Sequence, residues 1–519
     1  MTSPVDVGRP AAVVILAAGE GTRMRSDTTK MLHEICGRTL VGHVLTTARA
    51  LVPEHLVVVV GHQRERVTEH IAAIDPAART ALQAEQLGTG HAVRCGLDVI
   101  PELDGTVVVL NGDIPLITPE TLRGLLDTHA QAGNAATVLT ATVPDPAGLG
   151  RIVRAPDGGF ARIVEHRDAT AAELGIAEVN SGVYAFDAAL LRATIKRLTT
   201  DNDQGQEYLT DVLGLLAADR HPVAALLAPD YREVLGCNDQ IELAQLRRIL
   251  RDRLVERCMR DGVTVIDPQT VWMDVGVTIG RGAVIHPNVQ LCGATAIGPA
   301  AQVGPDCTLA DTEVGAGAKV VRAHCERAVI GDESTVGPFA YLRPGTVLGG
   351  AAKIGAYVET KNAQIGTGSK VPHLSYVGDA SIGEHSNIGA ATVFVNYDGV
   401  HKHRTTIGDY CRTGSDNMFV APVNVGDGAY TAAGSVITED VPPGAMAVAR
   451  ARQRNITGWV EQRRAGTGSA EAAARARSAA EATGTTEPAG TTDAATAAAG
   501  ASGRRAGNGE TMDEQGESQ

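Results

Sequence analysis

The chain has 519 residues, 44% of them hydrophobic but only 3% aromatic, with 59 glycines and a formal net charge of −14. That length predicts about two to four domains with ordinary cores. No apolar run reaches the roughly 20 residues of a membrane-spanning helix, and a net-acidic chain lacks the basic stripe that tracks a nucleic-acid backbone. Any anionic ligand must then be held by a few local cations. Eight cysteines without CxxC or zinc spacing, and an opening stretch unlike a signal peptide, predict a reducing cytoplasm.

Residues 11–17 (AAVVILA) form a continuous apolar run, the mark of a strand buried on both faces of a parallel sheet. The run empties into a glycine-rich turn followed by Arg23 and Lys30. Glycines there let backbone N–H groups approach phosphate oxygens, and the two cations can neutralise charge. The P-loop pattern is absent, so ATP hydrolysis fits poorly. Further buried strands at 56–60, 106–110 and 138–143 alternate with helices, predicting an α/β doubly wound, Rossmann-like domain that binds ligands beyond the carboxyl ends of its strands. Polar motifs fall where that rule wants them: QAEQLGTGH (83–91), NGDIP (111–115), GLGRI (148–152), VEHRDAT (164–170), VNSGV (179–183) and LGCN (235–238). Asp113, at a strand end beside glycine, suits a Mg²⁺ that bridges phosphates.

From Asn238 to about Arg260 the pattern is helical, with Leu243, Leu246, Leu250, Leu254 and Cys258 on one face. A helical linker over 238–262 is therefore expected, rather than a flexible Gly/Ser tether.

Beyond it one apolar side chain returns every sixth residue from Ile279 to Ile437, with short lapses. Of 23 such positions only Thr413 and Thr431 are not apolar, and 14 are followed by glycine. Six residues at about 100° each would put successive side chains on opposite faces of a helix. A β-solenoid of hexapeptide repeats accommodates the beat, each repeat making a short strand and a corner. Three places break it: YLRPG (341–345) with YVETK (357–361), VPHLSYVGDA (371–380), and SNIGA (386–390) running into NYDG (396–399), where about a dozen residues intervene before Ile407. Such breaks are where binding loops are grafted. From about Ala465 the composition cannot bury a core, and 463–519 is expected to be a disordered low-complexity tail.

The string LAAGEGTRMRSDTTKMLHEICGRTL (16–40) resembles the signature loop of sugar-phosphate nucleotidylyltransferases. The later blocks, and the breaks in the hexapeptides, resemble in order one bifunctional family, the N-acetylglucosamine-1-phosphate uridylyltransferases that are also glucosamine-1-phosphate N-acetyltransferases. That resemblance implies a uridylyltransferase domain over 1–237 and a left-handed parallel β-helix acetyltransferase domain over 263–462. It implies that Leu16, Ala17, Ala18, Gly19, Lys30, Asn111 and Gly112 contact UTP or the UDP-sugar, while Gln83, Gly88 and Thr89 read uracil. Gly150, Glu165 and Asn180 would hold the N-acetylglucosamine moiety, Asp113 and Asn238 would bind Mg²⁺, and Arg23 with Lys30 would be catalytic cations.

In the solenoid the resemblance makes His373 the general base, a role that imidazole's proton affinity suits. Arg343, Lys361, Tyr376 and Asn387 would hold glucosamine 1-phosphate, and Ala390, Asn396, Tyr397, Ser415, Ala433 and Arg450 would line the acetyl-CoA site. The implied function is acetyl transfer from acetyl-CoA to glucosamine 1-phosphate, then uridylyl transfer from UTP, giving UDP-N-acetylglucosamine for cell-wall precursors. The family also implies a homotrimer, which would close acetyl sites that an open-sided coil cannot enclose. Competing readings make the solenoid an oligomerisation or regulatory module, or the whole chain a nucleotide-sensing scaffold. One departure stands out: Ala391 lies where the family commonly has glycine, which narrows backbone freedom beside Ala390.

Overall fold

A computed structural model describes residues 9–202 and 204–483. A first compact unit runs to Arg450 and a second begins at Ala451. Nine strands build the sheet of the N-terminal half: β1 (Ala12–Ala17), β2 (His55–Val60), β3 (Arg79–Leu82), β4 (Thr106–Asn111), β5 (Ala136–Thr142), β6 (Arg151–Arg154), β7 (Phe160–Val164), β8 (Glu178–Asp187) and β9 (Val223–Leu227). Their order is β9-β5-β8-β4-β1-β2-β3, with β6 and β7 as a hairpin attached to β8. β1 lies parallel to β2 on one side and to β4 on the other, so the chain reverses its winding between β1 and β4.

The strands read as unbroken apolar runs because both faces are covered. Val13, Ile15, Val58 and Leu110 pack under Val44 and Leu45 of helix Leu40–Arg49 and Leu122 of helix Pro119–Gln131. Their alternates Val14, Val57 and Val109 pack under Val93 and Leu97 of helix Thr89–Asp98. Each fully buried aliphatic contributes about 1.5–3 kcal/mol. The sheet is mixed rather than purely parallel, since β8 runs antiparallel to β4 and β5. Its register slips between Asn180 and Val183, where Ser181 Oγ donates to the Leu139 carbonyl at 2.6 Å and Gly182 takes φ 76°. This bulge re-aims Asn180.

Helix Gln240–Arg260 runs between the sheet and the coil. Asp239 caps it, accepting from the N–H groups of Ile241 and Glu242 at 2.9 Å. Leu243 and Leu246 pack with Met24, Ile35, Leu40 and Leu116, whereas Leu254 and Val255 belong to the core of the coil. Two-sided burial makes this a rigid strut.

The hexapeptides form a parallel β-helix. Ile279 lies beneath Ile297, Ile285 beneath Val303 and Leu291 beneath Leu309, all in parallel strands. Where the six-residue beat lapses after Leu309, the inner row continues through Val314, Val320 and Cys325, with a step of five into Val314 and another into Cys325. Thr360 fills another inner position, its buried hydroxyl 2.9 Å from that of Thr346. The break before Ile407 widens one turn, and there Phe394 stacks under Phe419 with ring centroids 5.2 Å apart. At one corner, Asn288, Asp306, Arg322, Phe339, Tyr357, Leu374 and Ala391 all adopt left-handed φ. Such a backbone costs about 1–2 kcal/mol for a residue with a Cβ, and side chains stacking along the corner help offset it. Arg322 lies over the Phe339 ring at 5.8 Å, and Phe339 stacks on Tyr357 at 5.3 Å.

In the second unit, Gly468–Ala482 is a helix with Thr467 as its cap, so part of the stretch expected to be unstructured is ordered. The run EAAARARSAAEA explains this, since alanine has the highest helix propensity and needs no core. Residues 484–519 of that expected tail lie outside the described residues. Among the described residues no helix is long and apolar enough to cross a membrane.

Two candidate active sites

The first candidate site lies at the carboxyl ends of β1 and β4. Leu16 and Asn111 are register partners, and Gly112 N–H donates to the Leu16 carbonyl at 2.8 Å, so the turns 17–19 and 111–113 open side by side. The 3₁₀ turn Lys30–Leu32 returns Lys30 over them, with its side chain largely buried. Its Nζ forms an ion pair with Asp113 and lies 3.2 Å from Asn238 Oδ1, while an Arg23 guanidinium nitrogen lies 2.8 Å from that same oxygen. Two cations from one loop and an oxygen ligand from each of two distant stretches thus converge. A carboxylate and an amide oxygen within reach of one ammonium fit a Mg²⁺ that takes its other oxygens from water and phosphate. Among the described residues there is no cluster of three His, Cys, Asp or Glu, so a metal cage built wholly from such side chains is not on offer.

Asn111, Asp113, Gly150, Glu165, Asn180, Arg23 and Asn238 line one cleft of about 620 Å³. Within it the Asn180 backbone N–H donates to the Gly150 carbonyl at 2.8 Å. The Asn180 side chain donates to the Tyr184 hydroxyl at 2.8 Å and accepts from Gly182 N–H at 3.0 Å. Gly182 is required, because a Cβ there would overlap the Asn111 side-chain amide. Glu165 accepts from the Thr210 hydroxyl at 3.2 Å, and burial pushes its carboxyl above the ordinary range, with Asp168 and Asp211 adding to the rise.

Gln83 lines a neighbouring recess with Glu20 and Gln86. Its side-chain amide donates to the Gly88 carbonyl at 3.0 Å, and Gln86 donates to the Ala18 carbonyl at 3.0 Å. Gly88 holds φ 115°, and a Cβ there would overlap the Glu207 carbonyl oxygen. Thr89 accepts from Leu209 N–H at 3.0 Å, which leaves Gln83, Gly88 and Thr89 pinned on one wall.

On the coil, the polar residues sort into columns. Ala391 N–H donates to the His373 carbonyl at 3.2 Å, Asp416 N–H to Ala390 at 2.7 Å, and Gly434 N–H to Ser415 at 2.9 Å. The isolated bridges Lys370–Asn387 and Asn387–Arg412 carry the same register, which stacks His373, Ala390, Ser415 and Ala433 in one stripe. Arg450 lies at its far end, its Cδ 3.7 Å from where a Gly434 Cβ would be. His373 is exposed at the near end. Ala391 takes φ 59°, the backbone a glycine would use, so the departure leaves the local geometry of the stripe intact.

A second column holds Arg343 and Lys361 on successive turns. Tyr376 and Asn396 reach it around Gly378, the register partner of Lys361, because a Cβ on Gly378 would collide with the Tyr376 hydroxyl and the Asn396 amide. Arg343 pairs with Glu359 at 2.9 Å. Tyr397 is exposed, its hydroxyl 2.6 Å from the Gly399 carbonyl. Asn387 joins neither column. It stacks on Lys370, three residues before His373 along the same face, so one chain does not gather it with Arg343, Lys361 and Tyr376.

Sequence reasoning overlooked Lys402. The inserted loop brings its ammonium against that of Lys361, which holds the Lys361 pKa below the ordinary lysine range. The signal was present in the break of the repeat, but nothing in the letters said which loop residue points back. Tyr184 and Thr210, which orient Asn180 and Glu165, were equally illegible, since they come from a strand interior and a helix start.

Residues 13–235 match the model of the MobA-like NTP transferase domain, and residues 404–439 match the hexapeptide repeat of succinyl-transferase. The chain is 63% identical to the bifunctional protein GlmU of Streptomyces avermitilis, an alignment covering 90% of this chain and 97% of that one. It is 59% identical to that of Streptomyces coelicolor over the same shares, and 58% identical to that of Thermobifida fusca over 91% and 99%. The matches span the sheet, the strut and the coil, which is accordingly a left-handed β-helix. On this evidence the chain belongs to the GlmU family of bifunctional proteins.

Proposed function

We propose that the chain makes UDP-N-acetylglucosamine in two steps, acetylating glucosamine 1-phosphate on the coil and uridylylating N-acetylglucosamine 1-phosphate on the sheet. The domains that carry these steps are 263–462 and 1–237, joined by the helix within 238–262. Carrying this reading is one observation: a single chain holds two separate polar constellations, one at the β1–β4 switch point and one on the coil.

On the coil the substrate amine attacks the thioester carbonyl of acetyl-CoA, the C–S bond breaks, and the amine proton passes to His373. Arg343, Lys361 and Lys402 hold the sugar phosphate, since the three cations lie close enough to repel at Lys361 and an anion would relieve that. The stripe from Ala390 to Arg450 takes the coenzyme; its small side chains admit close backbone approach, and Arg450 meets a phosphate. Asn396 is positioned through Asp379, to which its amide donates, and Tyr397 flanks the stripe.

On the sheet a phosphate oxygen of the sugar phosphate attacks the α-phosphorus of UTP, and the bond to pyrophosphate breaks. An ionised phosphate needs no general base, so positioning and charge neutralisation carry the step. Lys30 and Arg23 neutralise the triphosphate, Gln83, Gly88 and Thr89 hold the base, and Gly150, Glu165 and Asn180 hold the sugar. Asp113 and Asn238 would hold Mg²⁺, which would draw charge from the phosphates when bound.

The chain works as a homotrimer. Asn387 stands apart from the other sugar-phosphate residues within one chain, and beside His373 lies an exposed apolar edge of Phe339, Tyr357 and Leu374. A second copy covering that edge would bring a missing wall to the acetyl site. Its eight cysteines, all free, support a cytoplasmic setting.

Thiol release from acetyl-CoA and pyrophosphate release from UTP, followed separately, test both halves. His373→Ala should lower the first by about 10²–10⁴-fold and spare the second, whereas Asp113→Ala should abolish Mg²⁺-dependent pyrophosphate release and spare acetylation. Retention of both activities in both variants sinks the assignment.

A further inference from the structure

Away from both sites, a cavity of about 520 Å³ opens between the hairpin Glu34–Ile35 and Arg38–Thr39, the start of helix Leu40–Arg49 and the end of helix Arg64–Ile74. Two arginines, Arg38 and Arg49, and two carboxylates, Glu34 and Asp75, line it, but only Arg49 and Asp75 close an ion pair. Arg49 is bidentate to Asp75 at 2.9 Å for each bond, so that pair is internally neutral. His70 Nε2 meets the Thr39 hydroxyl at 2.8 Å. The guanidinium of Arg38, which lines the cavity half-buried, makes no hydrogen bond or ion pair among the described residues. Burial pushes its pKa down, the sign of a charge that has lost water and gained nothing in exchange.

An uncompensated guanidinium is costly to keep, and at protein pH it stays charged. The surroundings nevertheless hold it in place. A Cβ on Gly42 would lie 2.7 Å from Thr39 Oγ1 and 3.1 Å from Arg38 Cγ, so the Arg38 stem is seated directly over a glycine. Leu45 and Ile74 add an apolar wall, and the cavity has the size of a small-ligand pocket.

We propose that this cavity binds a phosphorylated small molecule, its phosphate on Arg38 and its body against Leu45 and Ile74. A phosphate is favoured over a carboxylate because it offers more acceptor oxygens than the two that a guanidinium fork takes. Two of a phosphate's oxygens can fill the guanidinium fork while a third stays free to accept from the other polar groups of the lining. The hairpin is well placed to transmit occupancy. Arg247 of the strut donates twice to the Glu34 carbonyl, at 3.1 and 2.9 Å, and Val275 N–H at the base of the coil donates to the Cys36 carbonyl at 3.0 Å.

Phenylglyoxal labelling of the full chain, mapped by mass spectrometry, reads Arg38 directly. Inorganic phosphate should slow its modification several-fold, while exposed Arg281 keeps its rate, and succinate at equal ionic strength should protect far less. In His70→Gln the protection by phosphate should weaken. An unchanged Arg38 rate in phosphate overturns the site, as does slowing shared equally by Arg281. Protection by succinate equal to that by phosphate overturns the ligand class.

Discussion

His43 sits inside the N-terminal core with Nε2 2.9 Å from the Ile35 carbonyl oxygen, and burial pushes its pKa down to about 4. The unfolded chain takes up that proton near pH 6.5, so the stability His43 contributes is complete above about 6.5 and is lost as pH falls towards 4. The full loss is about 3 kcal/mol. His43→Gln should flatten the fall of the melting temperature across that window, and an unaltered slope would show that the acid sensitivity lies elsewhere. Lys402 is the residue-scale case on the coil. Lys402→Ala should raise KM for glucosamine 1-phosphate by about tenfold and leave uridylyl transfer as it was; equal KM values for variant and wild type would remove Lys402 from the site. Residues such as Lys30, Asp113 and His373 could be picked out beforehand because each lies in a run of distinctive neighbours. Lys402, Tyr184 and Thr210 could not, because their importance comes from a neighbour far away in the chain.

At the scale of elements the hexapeptide beat was the most legible feature, since a parallel coil repeats the same inner environment at every turn. Its lapses were not. The steps of five into Val314 and Cys325 keep the inner row because a corner can absorb a missing residue, and a count of sixes passes over them. The coil also explains how tightly some glycines are constrained. A Cβ on Gly355 would overlap the carbonyl oxygen of Pro372 on the next turn, immediately before His373. Gly355→Ala should therefore displace that turn, cost about 1–3 kcal/mol and depress acetyl transfer while pyrophosphate release persists. Full acetyl transfer in the variant would mean the turn yields without moving His373. Antiparallel β8 was missed for a different reason: a strand covered on both faces carries no mark of its direction.

For the whole molecule, the exposed edge of Phe339, Tyr357 and Leu374 carries the prediction. Tyr357→Lys with Leu374→Lys should shift sedimentation from the proposed trimer towards monomer and lower acetyl transfer, leaving uridylyl transfer unchanged; a trimer that persists in the variant would place the interface elsewhere. Residue order alone determined the two architectures and the chemistry each could carry, because strand burial, repeat period and glycine-rich turns are local properties written in neighbouring letters. Only the tertiary structure decided which polar groups meet: Lys30 and Arg23 on Asn238, Lys402 on Lys361, and Arg38 without an ion-pair contact among the described residues. Those are long-range encounters, set by how sheet, strut and coil pack, and side-chain electrostatics acts only once packing has fixed the distances.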